Sequence, residues 1–319
     1  MKINLRVVYR FISYYTPKFL KAKIKNYADK KEMKIALDRA KRTKVKKEDV
    51  ISIFDRLDFS GDVFLHTSIM NVGKVEGGVK FLVNVLKERI VDEGHTLLVS
   101  ALPYRGVFKD YLEKEPVFDV RTAPIAMGAI NEKLALLEGA KRSIHPTHSV
   151  VAIGDKAEYY VSEHHLDETP FNTHSPYYKL LQNEGKILLL GARLNNVTYI
   201  HVIEDLLEDL FPIKCYYKKK YIVKCIDEKG RELCVKTRCH DSFMGIFRDS
   251  MILYEGMKRT GVFESYPFGE SEVILIDVKK YTLYYLNMLQ QGQSIYGRHK
   301  VTKELKIQID KIITNLTTN

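Results

Sequence analysis

The segment Lys186–Leu210, KILLLGARLNNVTYIHVIEDLLEDL, constrains the fold of this chain more than any other. Ile187, Leu188, Leu189 and Leu190 form a short unbroken apolar run, the pattern of a strand buried on both faces of an α/β sheet. Asn195 and Asn196 favour a turn, after which Ile200, Ile203, Leu206, Leu207 and Leu210 recur at helical spacing. The segment therefore predicts strand, loop and helix in succession, with Thr198 as the helix cap. Its loop lies at the carboxyl end of the strand, where open α/β sheets hold their ligands. His201 and Glu204, three residues apart, fall on one face of that helix. A carboxylate beside an imidazole raises its basicity and can fix its tautomer, so the pair can take a proton at neutral pH. The same spacing also suits a histidine packed near a helix start, with Glu204 favoured there by the helix dipole.

Further segments lie around this one. Upstream are Val63-Phe64-Leu65-His66-Thr67-Ser68 with a loop Gly73-Lys74-Val75-Glu76-Gly77-Gly78, then Lys141-Arg142-Ser143-Ile144-His145-Pro146, and Thr173-His174-Ser175-Pro176 opening a helix through Leu181. In residue type, order and spacing these elements, with Leu188-Leu189-Leu190-Gly191 and Thr198-x-x-His201-x-x-Glu204, resemble the aminoglycoside 3-N-acetyltransferase family from about Thr43 to about Lys280. The resemblance implies a catalytic base at His201, an orienting carboxylate at Glu204, and Thr198 facing the thioester of acetyl-coenzyme A. It implies that His66, Thr67, Ser68, Gly73, Gly77, Gly78, Arg142, Ser143 and Ser175 serve the coenzyme, and that His145, His174, His240 and Asp205 serve the acceptor. Two departures stand out: His95 where the family has a second glycine, and Asn172-Thr173-His174 ahead of the serine-proline turn.

The glycine loop has a physical reading of its own. A strand ending at His66, a loop of small residues and a helix from Gly78 through Ile90 would aim backbone N–H groups at an anion such as a pyrophosphate. Gly78-Val79-Lys80 lacks the order of a nucleotide P-loop, and no G-x-G-x-x-G occurs, so ATP and NAD lose ground. The remaining histidines lack the spacing of a metal site, His164-His165 included, and no metal is expected. His240 precedes a predicted amphipathic helix. Cys215, Cys225, Cys234 and Cys239 match no zinc pattern; Tyr221–Ile226 and Glu232–Lys236 predict a hairpin that brings Cys225 near Cys234. That nearness allows a disulfide in an oxidising compartment, while the lack of a convincing signal peptide favours free thiols.

Charge divides the chain. Residues 1–50 carry 16 Lys or Arg against 5 Asp or Glu, which accounts for the whole formal excess of +11. Ile3, Leu5, Val7, Val8, Phe11, Ile12 and Tyr15 interleave there with Lys2, Arg6 and Arg10, so residues 1–42 read as a basic amphipathic extension and residues 43–319 as the acetyltransferase domain. The extension suits either peripheral contact with an anionic membrane face or packing on protein. Nucleic acid ranks below both, for want of a recognition motif. From Ile213 to Arg238 nine Lys or Arg face only Asp227, Glu228 and Glu232, which favours an anionic acceptor such as a nucleotide- or lipid-linked amino sugar of surface-glycan biosynthesis. Asp205, Glu208 and Asp209 argue instead for a cationic aminoglycoside. The expectation is thus a cytoplasmic acetyl-coenzyme A dependent N-acetyltransferase on one α/β domain, a mixed sheet between helices. The rival class is a membrane-associated binding protein that has lost the chemistry.

Overall fold

The computed structural model describes residues 15–318, so most of the interleaved basic and apolar stretch lies outside the described residues. Helix α1 (Lys18–Arg42) begins just after Pro17, whose lack of an N–H costs nothing at a helix start. At its far end Arg39 and Arg42 pair with Glu270 at 3.1 and 2.6 Å, and Thr43 Oγ1 donates to the same carboxylate at 2.6 Å. The hydrogen bonds from Arg42 and Thr43 hold Glu270 down to about 2. No described helix is long and apolar enough to cross a membrane.

The domain is built on a mixed sheet of β1 (Val63–Thr67), β2 (Leu97–Ser100), β3 (Lys141–Arg142), β4 (Val150–Ile153), β5 (Lys186–Leu190), β6 (Phe263–Phe268) and β7 (Ser271–Asp277), in the order β6-β7-β5-β1-β2-β4-β3. Only β2, β1 and β5 run parallel; the outer pairs are antiparallel. β5 is the strand that the apolar run predicts. Ile187 and Leu189 enter the core on one face, Leu188 and Leu190 the core on the other, and all four are fully buried. Each contributes about 2 kcal/mol relative to an exposed side chain.

One face is covered by α2 (Gly78–Leu86), through Leu82, Val83, Val85 and Leu86, and by the helices Lys47–Phe54 and Ala129–Ala135. α2 passes directly into a wider helical turn over Lys87–Val91, so the helical run predicted to Ile90 is observed. The other face carries α3 (Pro176–Gln182), α4 (Ile200–Leu207), α5 (Val278–Gln290) and α6 (Lys303–Thr318). The expected helix, sheet, helix layering is therefore present. Buried Asp62 ties the layers together, accepting from Thr96 N at 2.8 Å and from the Tyr160 hydroxyl at 2.7 Å.

One expectation needs correction. The glycine loop is not a free cradle of N–H groups: Lys74–Val75 pairs in parallel with Lys44–Val45, and the Lys74 and Glu76 amides donate to Thr43 O and Val45 O, each at 2.9 Å. Gly73 is required by that approach, since a Cβ there would lie 2.7 Å from Thr43 O. The predicted hairpin forms as Tyr221–Ile226 and Glu232–Thr237, and it joins Phe118–Asp119 over a small core of its own. Its register sets Cys225 opposite Leu233, leaving Cys225 buried and Cys234 exposed, and all four cysteines are free.

Gly191 ends β5 at φ +71, where an added Cβ would lie 2.6 Å from Val72 Cγ2 and 2.8 Å from Ser68 O. Gly191→Ala combines left-handed strain with overpacking, and urea denaturation should show a loss of about 3 kcal/mol.

Candidate active site

α4 starts immediately beyond the strand and loop that β5 begins. Its N-cap is Tyr199, and no side chain caps it. Thr198 supplies its carbonyl to His201 N at 3.1 Å, but its hydroxyl makes no cap bond, which corrects the expected capping role. The helix also ends earlier than its stripe predicts. Glu208 takes φ +49, and a tight turn over Glu208–Leu210 leaves Leu210 exposed.

His201 and Glu204 are both buried, and His201 Nδ1 meets Glu204 Oε2 at 2.8 Å. The other carboxylate oxygen accepts from the Tyr296 hydroxyl at 2.8 Å. On the far side of the imidazole, Arg248 Nη1 donates to His201 Nε2 at 2.7 Å. A guanidinium can only donate, so Nε2 holds a lone pair and a neutral His201 carries its hydrogen on Nδ1, toward Glu204. The His240 ring lies 4.2 Å from the His201 ring, with Nε2 3.5 Å from Glu204 Oε2. Burial alone would raise the Glu204 carboxyl, but the charges and hydrogen bonds of His201 and His240 outweigh it and hold the group far below the usual range. Burial, reinforced by His201, pushes His240 down to about 4. A turn over Met244–Ile246, not the predicted amphipathic helix, follows His240.

Thr198 is one of several buried polar groups that make no hydrogen bond among the described residues. Ser100 Oγ, Tyr177 Oη, Thr198 Oγ1 and His66 Nε2 are buried without a hydrogen-bond partner among the described residues, with Ser100 and Thr198 next to the Tyr177 hydroxyl. Burial pushes His66 down to about 4, so it is neutral. Two of the four groups lie at the carboxyl ends of β1 and β2.

The other candidates are distributed unevenly. Arg142 is spent on the protein: it donates to Ala101 O at 2.8 Å, Pro124 O at 3.0 Å, Ser149 Oγ at 3.0 Å and also to Ala123 O. Ser143 is fully buried between His164 Nδ1 and Val150 N. Ser175 caps α3 by accepting from Tyr178 N at 3.1 Å. His145 is fully buried; its Nδ1 accepts from His148 N at 3.0 Å and its ring stacks on His164 at 4.5 Å. All four residues make contacts within the fold. Thr67 ends β1 half-buried, and Ser68 Oγ accepts from Asn71 at 2.9 Å. Gly77 and Gly78 open α2 in left-handed conformations. His174 pairs with Asp167 at 2.9 Å near the cavity described next.

That cavity, about 620 Å³, opens against Glu204. Six acids line it, Asp167, Glu168, Glu204, Asp205, Glu208 and Asp209, against Lys214, Lys218 and Arg238. Burial pushes Asp205 up to about 7, even with bonds from the Tyr216 hydroxyl at 2.7 Å and Phe171 N at 3.2 Å. The basic hairpin that favoured an anionic acceptor spends charge away from the cavity, Lys219 on Glu113, Lys224 on Glu232 and Arg231 on Asp227, while Lys220 pairs with Glu168 of the wall itself. Sequence reasoning missed Arg248, Tyr296, Tyr177 and Ser100; the first two reach the site from irregular segments, Ser100 from a strand end and Tyr177 from the first turn of α3.

A family-wide sequence profile described as aminoglycoside 3-N-acetyltransferase matches residues 64–290. Aminoglycoside N(3)-acetyltransferase III of Salmonella sp is 34% identical over 158 residues, 46% of this chain, and the chain thus spans only about half, 54%, of that relative. Among solved structures, AAC-IIIb in a binary complex with CoASH superposes with a TM-score of 0.63 at 22% identity, over 78% of this chain and 97% of that one. AAC-VIa bound to sisomicin superposes with a TM-score of 0.61 at 25% identity, over 78% and 98%. With most of its length matched by that profile, and the fold shared, this chain belongs to the aminoglycoside 3-N-acetyltransferase family.

Proposed function

We propose that this protein is an acetyl-coenzyme A dependent N-acetyltransferase whose acceptor is an amine of a polycationic aminoglycoside. The observation that carries the reading is the buried His201–Glu204 pair, whose carboxylate lines a cavity with six acids in its wall. A multiply charged ammonium sugar gains from such a wall, whereas a nucleotide- or lipid-linked sugar would bring its phosphates against it. The relatives bear on the same point: one is named for aminoglycosides, and one neighbour holds sisomicin. The acceptor expected from the hairpin's charge, a glycan precursor, therefore gives way to the aminoglycoside.

The residues divide the work. His201 Nε2 takes the proton of the attacking amine, and Glu204 holds the imidazole and balances the imidazolium that results. Arg248 stands on that nitrogen, so the incoming amine has to displace it. The coenzyme supplies the thioester carbonyl. The unpartnered hydroxyls of Thr198, Tyr177 and Ser100 fit it, as donors waiting for an oxygen that gains charge. The N-terminus of α2 at Gly77 and Gly78 fits the pyrophosphate less fully than the sequence implies, because two amides of its loop already serve Thr43 and Val45.

Thiol release from acetyl-coenzyme A, followed with aminoglycosides, free amino sugars and nucleotide-linked amino sugars, tests the reading directly. His201→Ala should lower kcat by about 10³-fold and Glu204→Gln by about 10²-fold. Unchanged turnover in His201→Ala would remove the proposed base. Combining Glu208→Gln with Asp209→Asn should raise the aminoglycoside KM about tenfold at low salt, with kcat little changed and the effect fading at high salt. An unaltered KM would take the acidic wall out of acceptor binding.

A further inference from the structure

His201, Glu204 and His240 each present a ligand atom of the kind zinc prefers, and these three atoms lie within 4.8 Å of one another. Zinc bonds of about 2.0–2.2 Å set ligand atoms about 3.3 Å apart in a tetrahedron. The separations here, 2.8 Å from His201 Nδ1 to Glu204 Oε2 and 3.5 Å from that oxygen to His240 Nε2, bracket that value. His240 Nε2 is buried and meets Glu204 Oε2 at 3.5 Å, too far for a good hydrogen bond, so a ligand atom is aimed at the carboxylate. Glu204 is also braced as metal-bound carboxylates are, through the bond from the Tyr296 hydroxyl to its second oxygen. Because Glu204 lines the cavity, the cluster has an open approach and room for water as a fourth ligand.

We propose that His201, Glu204 and His240 form a site for a zinc-class divalent cation, which on binding silences the base. The metal takes the lone pair of His201 Nδ1, so the ring hydrogen that points to Glu204 moves to Nε2 and no net proton leaves. His201 and Glu204 are then both held as ligands, so neither is available to accept or balance the amine's proton. Arg248 takes no ligand position, but it has to turn from Nε2 when that nitrogen gains the hydrogen, and this displacement and its positive charge both limit the affinity. The site is invisible to spacing rules because His240 joins the pair from a distant segment, beside the bridge that pairs it with Tyr216.

The binding claim stands on the side chains alone; only the silencing rests on the acetyltransferase reading. Titration calorimetry of the full chain with zinc chloride, in chelator-free buffer, should show one ion per chain at micromolar concentration. His240→Gln and Glu204→Gln should each weaken it at least about tenfold. Cobalt(II) should give the visible absorption of a four-coordinate ion in the unsubstituted protein and lose it in either variant. No zinc binding below millimolar concentration would overturn the proposal, as would zinc or cobalt binding unchanged in both variants. Where acetyl transfer is measurable, zinc should inhibit it, EDTA should restore it, and the acceptor should compete. Absence of transfer with every amine tested would count against the proposed function and leave the zinc titration decisive for this site.

Discussion

The negative charge of Glu204 is the constraint on which the surroundings of the site depend. A carboxylate removed from water costs several kcal/mol unless it is paired and hydrogen-bonded. Here the compensation comes from separate stretches of chain: His201 on the same helix, His240 after the hairpin, and Tyr296 beyond α5. Each of these segments is therefore positioned by one buried group. Arg248 adds a fourth, through His201. Removing the charge would loosen loops far apart in sequence, which is why a conservative amide is the informative substitution and a small apolar one is not.

The sequence made the scaffold legible where a single physical pattern dominated. The four-residue apolar run of β5 could be satisfied only by burial on two faces, and Ser175 with Pro176 marked the start of α3 through capping chemistry and a fixed φ. The pair His201 and Glu204 was legible because both residues lie within one helical turn. His240 was visible as a candidate, but its contact with Glu204 was not. Arg248 and Tyr296 carried no local signal, since their roles are set by tertiary packing of irregular segments. Thr198 misled because a residue able to cap a helix instead buries its hydroxyl beside that of Tyr177.

Charge counting misled in a related way. The lysines and arginines of the hairpin outnumber its acids in sequence, yet acids from elsewhere, such as Glu113 and Glu168, neutralise several of them. The acids that remain in the cavity wall come from the end of α4 and from the loop before α3. A count along the chain cannot distinguish charge already balanced from charge presented to a ligand; only the fold sorts the two.

The pairing of Lys44–Val45 with Lys74–Val75 bears on where this folded unit begins. The family profile starts at residue 64, yet the strand segment before it fills the glycine loop with backbone and shares Glu270 with α1 through Thr43. A chain trimmed to the profile would leave the Lys74 and Glu76 amides without acceptors and strip Val45, Val50 and Phe54 from the core. The physical edge of the domain thus precedes its recognisable sequence by about a helix and a strand. Residues 44–54, ahead of the profile, are the first piece of the core.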